Sequence, residues 1–330
     1  SELKTLNQTS ILTYEVTNNS ANYDANVTVT CVPKEGTTSK YTSIKNKLEN
    51  DATVVKAKET LNGTLTVTLN KTATEEVREE YVCTLTFNAV ERNELGQGIP
   101  DSVSFTTDSW QTIQKAVQTG NTDKYNVGDT KEVDLGSLGT HTVRIANKSE
   151  CTTETSETAC GFVVEFADVI ANQQCNSTST NVGGWRDSEL RTYVNGTIYN
   201  ALPSELQNVI SSTKVISGHG STSGETNFET QDKLYLLSAH EVWEDETSNQ
   251  VSTKDTSYNN TKQLDYYKQQ GVTTSSYAGA IKPWGKYNYS WWLRSASYRH
   301  SSAFLGVNSN GGCSALGDVS YGVSPAFRIA

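Results

Sequence analysis

The chain has 330 residues, of which 35% are hydrophobic, and it carries a net charge of −10 at pH 7. Its length predicts two domains, since one domain usually takes roughly 100–200 residues, and its abundant Asn, Thr, Ser and Gly favour short strands and polar turns over long helices. The acidic balance argues against binding to nucleic acid or to an anionic membrane surface, both of which need clustered Lys and Arg.

Residues 1–92 alternate between apolar and polar side chains, as in ANVTVTCV, TLTVTLN and EEYVCTLTFNAV. A period of two, interrupted by turn-rich stretches, predicts an all-β sandwich. We place the segments 27–32 and 81–87 in facing sheets, joined by a disulfide between Cys31 and Cys83. The following residues, 93–104, are polar with a Gly-x-Gly-x-Pro break and predict a linker.

Residues 105–330 mix helical and strand patterns, which predicts an α+β domain. Apolar residues at helical spacing predict a helix over 109–120 that Gly120 ends, and Asp187-Ser-Glu-Leu predicts the start of a second helix. The predicted strands are KEVDLGSL, THTVRIAN, GFVVEFAD, YSWWLRSAS, SSAFLGVNS and YGVSPAFRI, and DKLYLLSAHEVW is predicted as a strand that runs into a turn. Residues 243–289 are polar and poorly periodic, so they predict a long loop region, a type of segment that often binds ligands.

The six cysteines indicate an oxidising, extracellular compartment. Cys151 and Cys160 flank a polar tip between two strand-like segments, as in a hairpin closed by a disulfide. Zinc binding is the competing interpretation, but the sequence has no C-x-x-C pair and its four His are scattered. We therefore predict no metal and no cofactor. The pairing of Cys175 and Cys313 stays open.

The chain contains no Met. We expect that an N-terminal signal or anchor has been removed, so that the protein is extracellular at a cell surface and meets a membrane only through that anchor. A cytosolic protein with a trimmed Met is the alternative. No stretch approaches the roughly 18 apolar residues of a membrane span.

The sequence contains no nucleophile elbow, phosphate-binding loop, dinucleotide fingerprint or HExxH motif. Asp187 with Glu189, or Glu241 with Glu244, would offer paired carboxylates for glycoside hydrolysis, but such pairs arise often in an acidic chain. We therefore predict no catalytic residue and no enzyme activity.

Two features of the predicted strand YSWWLRSAS have competing interpretations. Trp291 and Trp292 offer a platform for stacking sugars, but a strand of this kind is more typical of core aromatics. We interpret Arg294 as a buried structural donor rather than a ligand contact.

The last 36 residues, 295–330, contain no Lys, Glu, Gln, Trp or Met, although the chain has 19 Lys, 23 Glu, 13 Gln and 6 Trp before them. A buried terminus rich in Gly and Ser explains those two residue types. It does not explain the Tyr298-Arg-His triplet, Leu305, Cys313 or Asp318 that lie among them.

The same region contains WWLRSAS (291–297), Phe304, VNSNG (307–311) and YGVSPAFRI (321–329). These motifs resemble the C-terminal signature of a family with the C-type-lectin fold, of the formylglycine-generating-enzyme type, and upstream segments extend the resemblance to residues 105–330. Family members include the variable proteins of diversity-generating retroelements. The resemblance implies a fixed scaffold of Trp291, Trp292, Arg294, Phe304 and Phe327. Residues 1–92 resemble Ig-like modules of bacterial surface proteins.

In variable proteins of that family, mutagenesis replaces adenines, chiefly in the Asn codons AAC and AAT. Randomising the first two bases of such a codon never yields Lys, Glu, Gln, Trp or Met, the five types missing from the tail. The resemblance implies a variable region at 295–323, in which Cys313 is a chance product rather than half of a disulfide. The implied ligand-binding residues are Tyr298, Arg299, His300, Ser301, Ser302, Ala303, Leu305, Gly306, Gly312, Cys313, Ser314, Ala315, Leu316, Gly317, Asp318, Val319, Ser320 and Tyr321.

The sequence therefore predicts a bacterial or phage binding protein that displays a diversified surface for adhesion or receptor recognition. Its partner is a protein or glycan on another cell or host surface. The alternative is a lectin-like or structural surface protein of fixed specificity. An enzyme of the formylglycine-generating branch needs a cysteine pair that is not evident, and a calcium-dependent lectin needs an EPN- or QPD-like triplet that the sequence lacks.

Overall fold

A computed structural model describes residues 2–20, 23–37, 39–91, 99–153, 155–224, 227–245, 261–317 and 319–330. The chain divides into two units, Ser1–Pro100 and Asp101–Ala330. This division falls inside the predicted linker 93–104, of which 93–98 lie outside the described residues. Strands dominate the described chain, and its α-helices all belong to the second unit, which is compatible with the α+β prediction.

The first unit consists of two three-stranded antiparallel sheets. Its strands are β1 (Thr9–Thr17), β2 (Tyr23–Pro33), β3 (Thr42–Leu48), β4 (Val54–Val55), β5 (Thr60–Leu69) and β6 (Tyr81–Glu91). The sheet orders are β1-β5-β3 and β4-β2-β6. Buried residues from both sheets, including Val16 on β1 and Val27 on β2, form one small core. The period-two segments thus place alternate side chains between two layers.

The disulfide between Cys31 and Cys83 is present, but the expectation that it joins facing sheets is wrong. Strands β2 and β6 are neighbours in one sheet, where Cys31 lies directly opposite Cys83. Their Cα atoms are 4.1 Å apart, as expected for residues opposite each other on adjacent antiparallel strands. A period of two shows which face a residue occupies and not which strand lies beside it, so the sequence pattern did not distinguish the two arrangements.

The second unit has thirteen strands and seven short α-helices among its described residues. The strands are β7 (Thr130–Asp134), β8 (Thr140–Asn147), β9 (Phe162–Phe166), β10 (Ala171–Gln173), β11 (Thr213–Gly218), β12 (Asn227–Asp232), β13 (Lys282–Trp284), β14 (Tyr287–Tyr289), β15 (Trp291–Ala296), β16 (Phe304–Val307), β17 (Cys313–Leu316), β18 (Tyr321–Val323) and β19 (Ala326–Ile329). The helices are α1 (Trp110–Gln118), α2 (Gly184–Asp187), α3 (Glu189–Tyr193), α4 (Tyr199–Ala201), α5 (Ser204–Val209), α6 (Ala239–Val242) and α7 (Asp265–Gln269), and a π-helical turn (Val194–Ile198) joins α3 to α4. Within the described ranges, no helix is long and apolar enough to cross a membrane.

Two sheets organise the second unit. An antiparallel sheet has the order β19-β9-β8-β7, and a five-stranded sheet has the order β10-β18-β15-β16-β17. Strand β15 is the middle strand of the five, antiparallel to β16 and parallel to β18. Every side chain of β15 is buried, so this strand is covered on both faces.

Helix α1 confirms the helix predicted over 109–120. The Ser109 side chain accepts a hydrogen bond from a backbone N–H of the first turn and caps the helix. Trp110 and Ile113 lie on its buried face. Gly120 has a φ of +73°, the left-handed conformation that commonly ends helices and favours glycine.

The strand predicted at DKLYLLSAHEVW is wrong for most of its length. Strand β12 ends at Asp232, where that segment begins, and Tyr235 makes only a single bridge, to Ala326. Ser238 then opens helix α6 through a capping box with Glu241. The apolar run that suggested a strand is buried chain that leads into a helix, a distinction that periodicity alone does not make.

The disulfide between Cys151 and Cys160 closes the connection between the antiparallel strands β8 and β9, which confirms the predicted hairpin. Cys175 takes part in no disulfide. Cys175 is buried, and this burial raises the pKa of its thiol. Two disulfides in one chain are typical of an oxidising environment.

His141, at the start of β8, forms an ion pair with Asp168, which follows β9. Its Nδ1 lies 2.7 Å from Asp168 Oδ2, and its Nε2 lies 2.9 Å from the carbonyl oxygen of Leu138. Both partners accept hydrogen bonds, so the arrangement favours a ring that is protonated on both nitrogens. The hydrogen bond to Asp168 raises the pKa of His141 despite the opposing effect of burial.

We expect the variant His141→Gln to lose stability at acidic pH and much less at alkaline pH. The pKa of His141 is higher in the folded state than its unfolded-state value of about 6.5. Its ion pair with Asp168 therefore contributes fully to stability below pH 6.5, and this contribution is lost as the pH rises through the folded-state pKa. All six Trp lie beyond residue 100, so denaturant unfolding followed by Trp fluorescence reports on the second unit. The loss should be on the order of 1 kcal/mol near pH 5.5 and should shrink near pH 9. An equal loss at both pH values would contradict this assignment.

Candidate functional site

The β15–β16 loop (residues 297–303) carries the most exposed group of predicted ligand-binding side chains. The exposed residues of the loop are Tyr298, Arg299, His300 and Ser301. Tyr298 keeps 59% of its surface exposed, which is unusual for an aromatic side chain in a folded unit. These four side chains are available for contact with a ligand.

A buried side chain outside the tail, Asn181, holds the backbone of this loop. Its Nδ2 lies 2.6 Å from the carbonyl oxygen of Ser297, 3.0 Å from that of His300 and 2.9 Å from that of Ala303. Its backbone N–H donates to the carbonyl oxygen of Ser301 at 2.7 Å. All four bonds end on backbone atoms of the loop. The path of the loop therefore does not depend on which side chains it displays.

Asn181 is itself fixed in orientation. Its Oδ1 accepts hydrogen bonds from the backbone N–H of Ser221 at 3.1 Å and from the hydroxyl of Ser221 at 2.7 Å. Donors face the oxygen and acceptors face the nitrogen, so only one orientation of the amide satisfies all partners. Within the loop, the N–H of Ala303 also donates to the carbonyl of His300 at 3.0 Å. The buried Ser297 hydroxyl accepts a hydrogen bond from the N–H of His300 at 3.1 Å. None of these bonds involves the exposed side chains of the loop.

Three further predicted residues reach the surface near the start of β18. Val319 and Ser320 are exposed, whereas Tyr321 is half-buried. The Tyr321 ring packs edge-on against Trp292, with ring centroids 5.0 Å apart. Tyr321 therefore contributes to packing as well as to the surface.

Five predicted ligand-binding residues lie in the interior instead of at the surface. They are Ala303, Leu305, Gly306, Gly312 and Leu316. A buried side chain does not touch a ligand without rearrangement, so these positions act on the surface only through packing. Four others are half-buried: Ser302, Cys313, Ser314 and Gly317. Asp318 and the side chain of Ala315 lie outside the described part of the chain.

Gly306 and Leu316 are directly coupled. A Cβ atom on Gly306 would lie 2.2 Å from Leu316 Cδ1 and 2.6 Å from the carbonyl oxygen of Trp291. The first contact is with the end of a flexible side chain, but the second is with backbone. Because residue 306 has no side chain, Leu316 can pack closely over β16 at this position.

The predicted scaffold residues all lie in the core. They are Trp291, Trp292, Arg294, Phe304 and Phe327. The indole N–H of Trp292 donates to the carbonyl of Gln173 at 2.8 Å, and that of Trp291 donates to the carbonyl of Ala280 at 3.2 Å. Their burial does not fit an exposed platform for stacking sugars.

Arg294 forms a bidentate ion pair with Glu241, and both side chains are fully buried. The Nη1–Oε2 distance is 2.6 Å and the Nη2–Oε1 distance is 2.7 Å. The hydroxyls of Thr158 and Thr261 donate to the same carboxylate. Burial acts to raise the pKa of Glu241, but the charge and hydrogen bonds of Arg294 outweigh it and lower that pKa. Glu241 is therefore a structural carboxylate, and its neighbour Glu244 is exposed.

A second buried charge cluster surrounds Glu165 on β9. Its carboxylate lies 2.9 Å from Arg144 Nε and 2.6 Å from Lys282 Nζ. Lys282 Nζ also donates to the hydroxyl of Ser324 at 2.9 Å. Burial is the main cause that lowers the pKa of Lys282, to about 8. The cluster ties β8, β9 and β13 to the turn between β18 and β19.

Neither Asn181 nor the partners of the buried charges were found from the sequence. The signal nearest to Asn181 is the Gly183-Gly184 pair that follows it, with φ values of +84° and +54°. A Cβ atom on Gly184 would lie 2.1 Å from the carbonyl oxygen of Gly218. A Gly-Gly pair permits two chain segments to approach closely, but it does not show which segments meet. Among the described residues, no group of three or more His, Cys, Asp or Glu side chains is placed to hold a metal ion.

The structure is that of a disulfide-bonded, strand-rich protein with two units, the second of which presents an exposed loop above a buried polar scaffold. Residues 162–330, just over half of the chain, match a family described as domain of unknown function DUF6273. The chain belongs to this family. No curated protein and no solved structure matches the chain. The matched range contains Asn181, the Arg294–Glu241 ion pair and the whole β15–β16 loop.

We expect Asn181→Ala to destabilise the second unit by roughly 2–3 kcal/mol, because the variant leaves several loop carbonyls without their donor. The matched control, Tyr298→Ala, removes an exposed side chain and should cost less than about 0.5 kcal/mol. Trp fluorescence during denaturant unfolding measures both losses. Trypsin should also cut after Arg299 faster in Asn181→Ala than in the control. If Tyr298→Ala were as destabilising as Asn181→Ala, the loop would depend on the side chains that it displays.

We expect Gly306→Ala to cost roughly 1–3 kcal/mol through overpacking and Leu316→Ala to cost roughly 2–5 kcal/mol through the lost burial. The double variant should lose less than the sum of the two, because removing the Leu316 branch relieves part of the crowding at 306. A double-mutant cycle by denaturant unfolding measures the coupling. Strict additivity would show that the two positions vary independently.

Proposed function

We propose that this protein is a cell-surface binding protein whose ligand contacts are made by the exposed side chains of the β15–β16 loop and of residues 319–321. We propose further that its second unit is a C-type-lectin-like domain, that its first unit is Ig-like, and that retroelement mutagenesis diversifies the tail. The ligand is a protein or glycan on another cell or host surface, and the protein is no enzyme.

The observation that carries the proposal is that the loop is held through its backbone atoms, while its side chains at 298–301 are exposed. Asn181 binds only backbone atoms of the loop, while Tyr298, Arg299 and His300 extend into solvent. A site that accepts many side chains needs a backbone whose bonds do not involve them. Loops positioned by a rigid scaffold are also where binding residues concentrate.

The residue types on the loop favour binding as well. Tyr298 offers a large, rigid ring with a polar tip, and Arg299 offers several hydrogen-bond donors. Tyr and Arg are enriched among the residues that contribute most to protein interfaces. The tail of this chain also lacks the five residue types that mutagenesis of Asn codons cannot produce.

The interior positions restrict how far diversification can extend. Leu305, Gly306 and Leu316 are buried, so replacements there change packing before they change the surface. We therefore propose a graded variable region. Positions 298–301 and 319–320 exchange side chains freely, whereas 305, 306 and 316 accept only combinations that fill the same volume.

The proposal is tested by sequencing the 3′ end of the gene, with its flanking DNA, across a population of the host. We expect a near-copy of the tail-coding stretch nearby, and differences between cells that fall almost only at the adenines of that copy. The codon for Asn181 lies outside the tail and serves as the invariant control. A tail that is identical in every cell, with no second copy, would exclude diversification and leave a surface protein of fixed specificity.

A second experiment tests the graded variation. One display library randomises residues 298–301 and another randomises 305, 306 and 316, and each is sorted for folded chains with a conformation-dependent antibody against the second unit. We expect nearly all of the first library to fold and only a small, size-matched fraction of the second. Similar folded fractions would show that the exposed loop and the buried strands tolerate variation equally.

A further inference from the structure

Strand β6 of the first unit leaves one backbone edge open within the described part of the chain. It is the last strand of the sheet β4-β2-β6 and pairs with β2 from Tyr81 to Glu91. The 4.1 Å between the Cα atoms of Cys31 and Cys83 marks a pair without mutual backbone hydrogen bonds, since hydrogen-bonded pairs lie about 5.5 Å apart. Hydrogen-bonding direction alternates along a strand, so the N–H and C=O groups of Cys83, Leu85 and Phe87 point towards the open edge.

The inner face of β6 is uncovered too. Leu85 and Phe87 lie opposite Val29 and Val27 on β2 and therefore share their face. Leu85 is 37% and Phe87 51% exposed, whereas Val27 is buried. The facing sheet β1-β5-β3 meets β6 at its first residue, where the Tyr81 hydroxyl donates to the carbonyl of Thr42 at 2.9 Å. The core between the two sheets is formed with residues of β2 and β4 and does not include Leu85 or Phe87. The open edge thus carries apolar side chains as well as unpaired backbone groups.

This edge lacks the features that protect edge strands in monomeric proteins. Charged side chains, proline, bulges and short length are the usual means of preventing a further strand from pairing. Residues 81–90 contain neither a charge nor a proline, and the single charged residue of β6, Glu91, is its last. Strands β2 and β6 pair without a break in register. By contrast, the edge strand β3 of the facing sheet carries Lys45 and Lys47.

We propose that β6 pairs antiparallel with β6 of a second copy of this chain, about a twofold axis through Thr86. In this register Leu85 lies opposite Phe87 of the second copy, and residues with outward-pointing backbone groups meet each other. A second copy fits better than an unrelated strand because the pattern of β6 is symmetric about Thr86: an apolar residue on each side, then a polar one. Neither face buries a charged side chain of residues 81–89.

The twofold pairing also closes the assembly. Both open edges are used in one contact, so the interaction stops at two copies instead of continuing into fibres. Leu85 and Phe87 of the two copies form one four-residue apolar cluster, which gives the contact a hydrophobic contribution besides its backbone bonds. The dimer does not depend on the proposed ligand surface, but it would join two such surfaces and raise avidity.

The first test is the mass of the full chain in solution by sedimentation equilibrium. We expect twice the chain mass of 36.1 kDa for the native sequence and a single chain mass for Phe87→Lys, whose exposed position leaves folding intact. The matched control is Ile11→Lys on the edge strand β1, where Ile11 is 62% exposed; it should stay dimeric. A monomeric native chain at the highest soluble concentration, or a dimeric Phe87→Lys variant with native circular dichroism, would overturn the proposal.

The second test fixes the register. In the proposed pairing, Thr86→Cys places a thiol directly opposite its own copy across the twofold axis, within disulfide reach after small adjustments. Thr84→Cys places the two thiols four residues apart along the strands, about 13 Å. We expect a covalent dimer on non-reducing gels for the Thr86→Cys variant and only the native background for Thr84→Cys. Equal cross-linking of both variants would reject the register and with it the proposed contact.

Discussion

The second unit is built around a charge buried in a strand. Arg294 lies at the centre of β15, where every side chain is buried, and its guanidinium is neutralised by Glu241 from helix α6. An unpaired buried charge costs roughly 3–5 kcal/mol, so β15 and α6 have to meet in one relative position for the fold to form. The capping box of α6 positions the carboxylate. This requirement fixes the direction in which β15 ends and therefore where the β15–β16 loop begins.

The polar groups that organise the tail come mostly from outside it. Asn181, Glu241, Glu165 and Lys282 all precede residue 295, and each has its hydrogen bonds in the interior. The tail itself contains no Lys, Glu or Gln. Its described part contributes mainly backbone carbonyls, hydroxyls such as that of Ser324, and apolar side chains. The scaffold can hold such a segment without contacting its exposed side chains. This is the physical condition for a surface whose side chains vary.

The sequence predicted individual helices and strands better than it predicted which strands lie beside each other. Periodicity located α1 and both alternating strands of the first disulfide, because each signal lies within a short stretch. It did not show that the segment predicted as one strand, YGVSPAFRI, forms two strands, β18 and β19, in different sheets. It placed β2 and β6 in facing sheets, because alternation defines a face and carries no information about the adjacent strand. The role of Asn181 depends on carbonyls 116 and more residues away. A single sequence does not show such a convergence, although the Gly183-Gly184 pair marks the place.

The composition of the tail likewise did not show which of its residues are exposed and which are buried. Leu and Gly occur in either environment, and the structure shows both Leu305 and Gly306 to be buried. Their burial limits the diversification that we propose for the tail. A native domain is stable by only about 5–15 kcal/mol, and each poor replacement in a packed interior costs about 1–3 kcal/mol. A protein that samples such replacements needs a stability margin that the variable residues do not supply. The buried ion pairs, the Asn181 network and the Cys151–Cys160 disulfide lie outside the tail or hold it by its backbone. Under the proposed diversification, they would supply that stability independently of the exposed side chains of the tail.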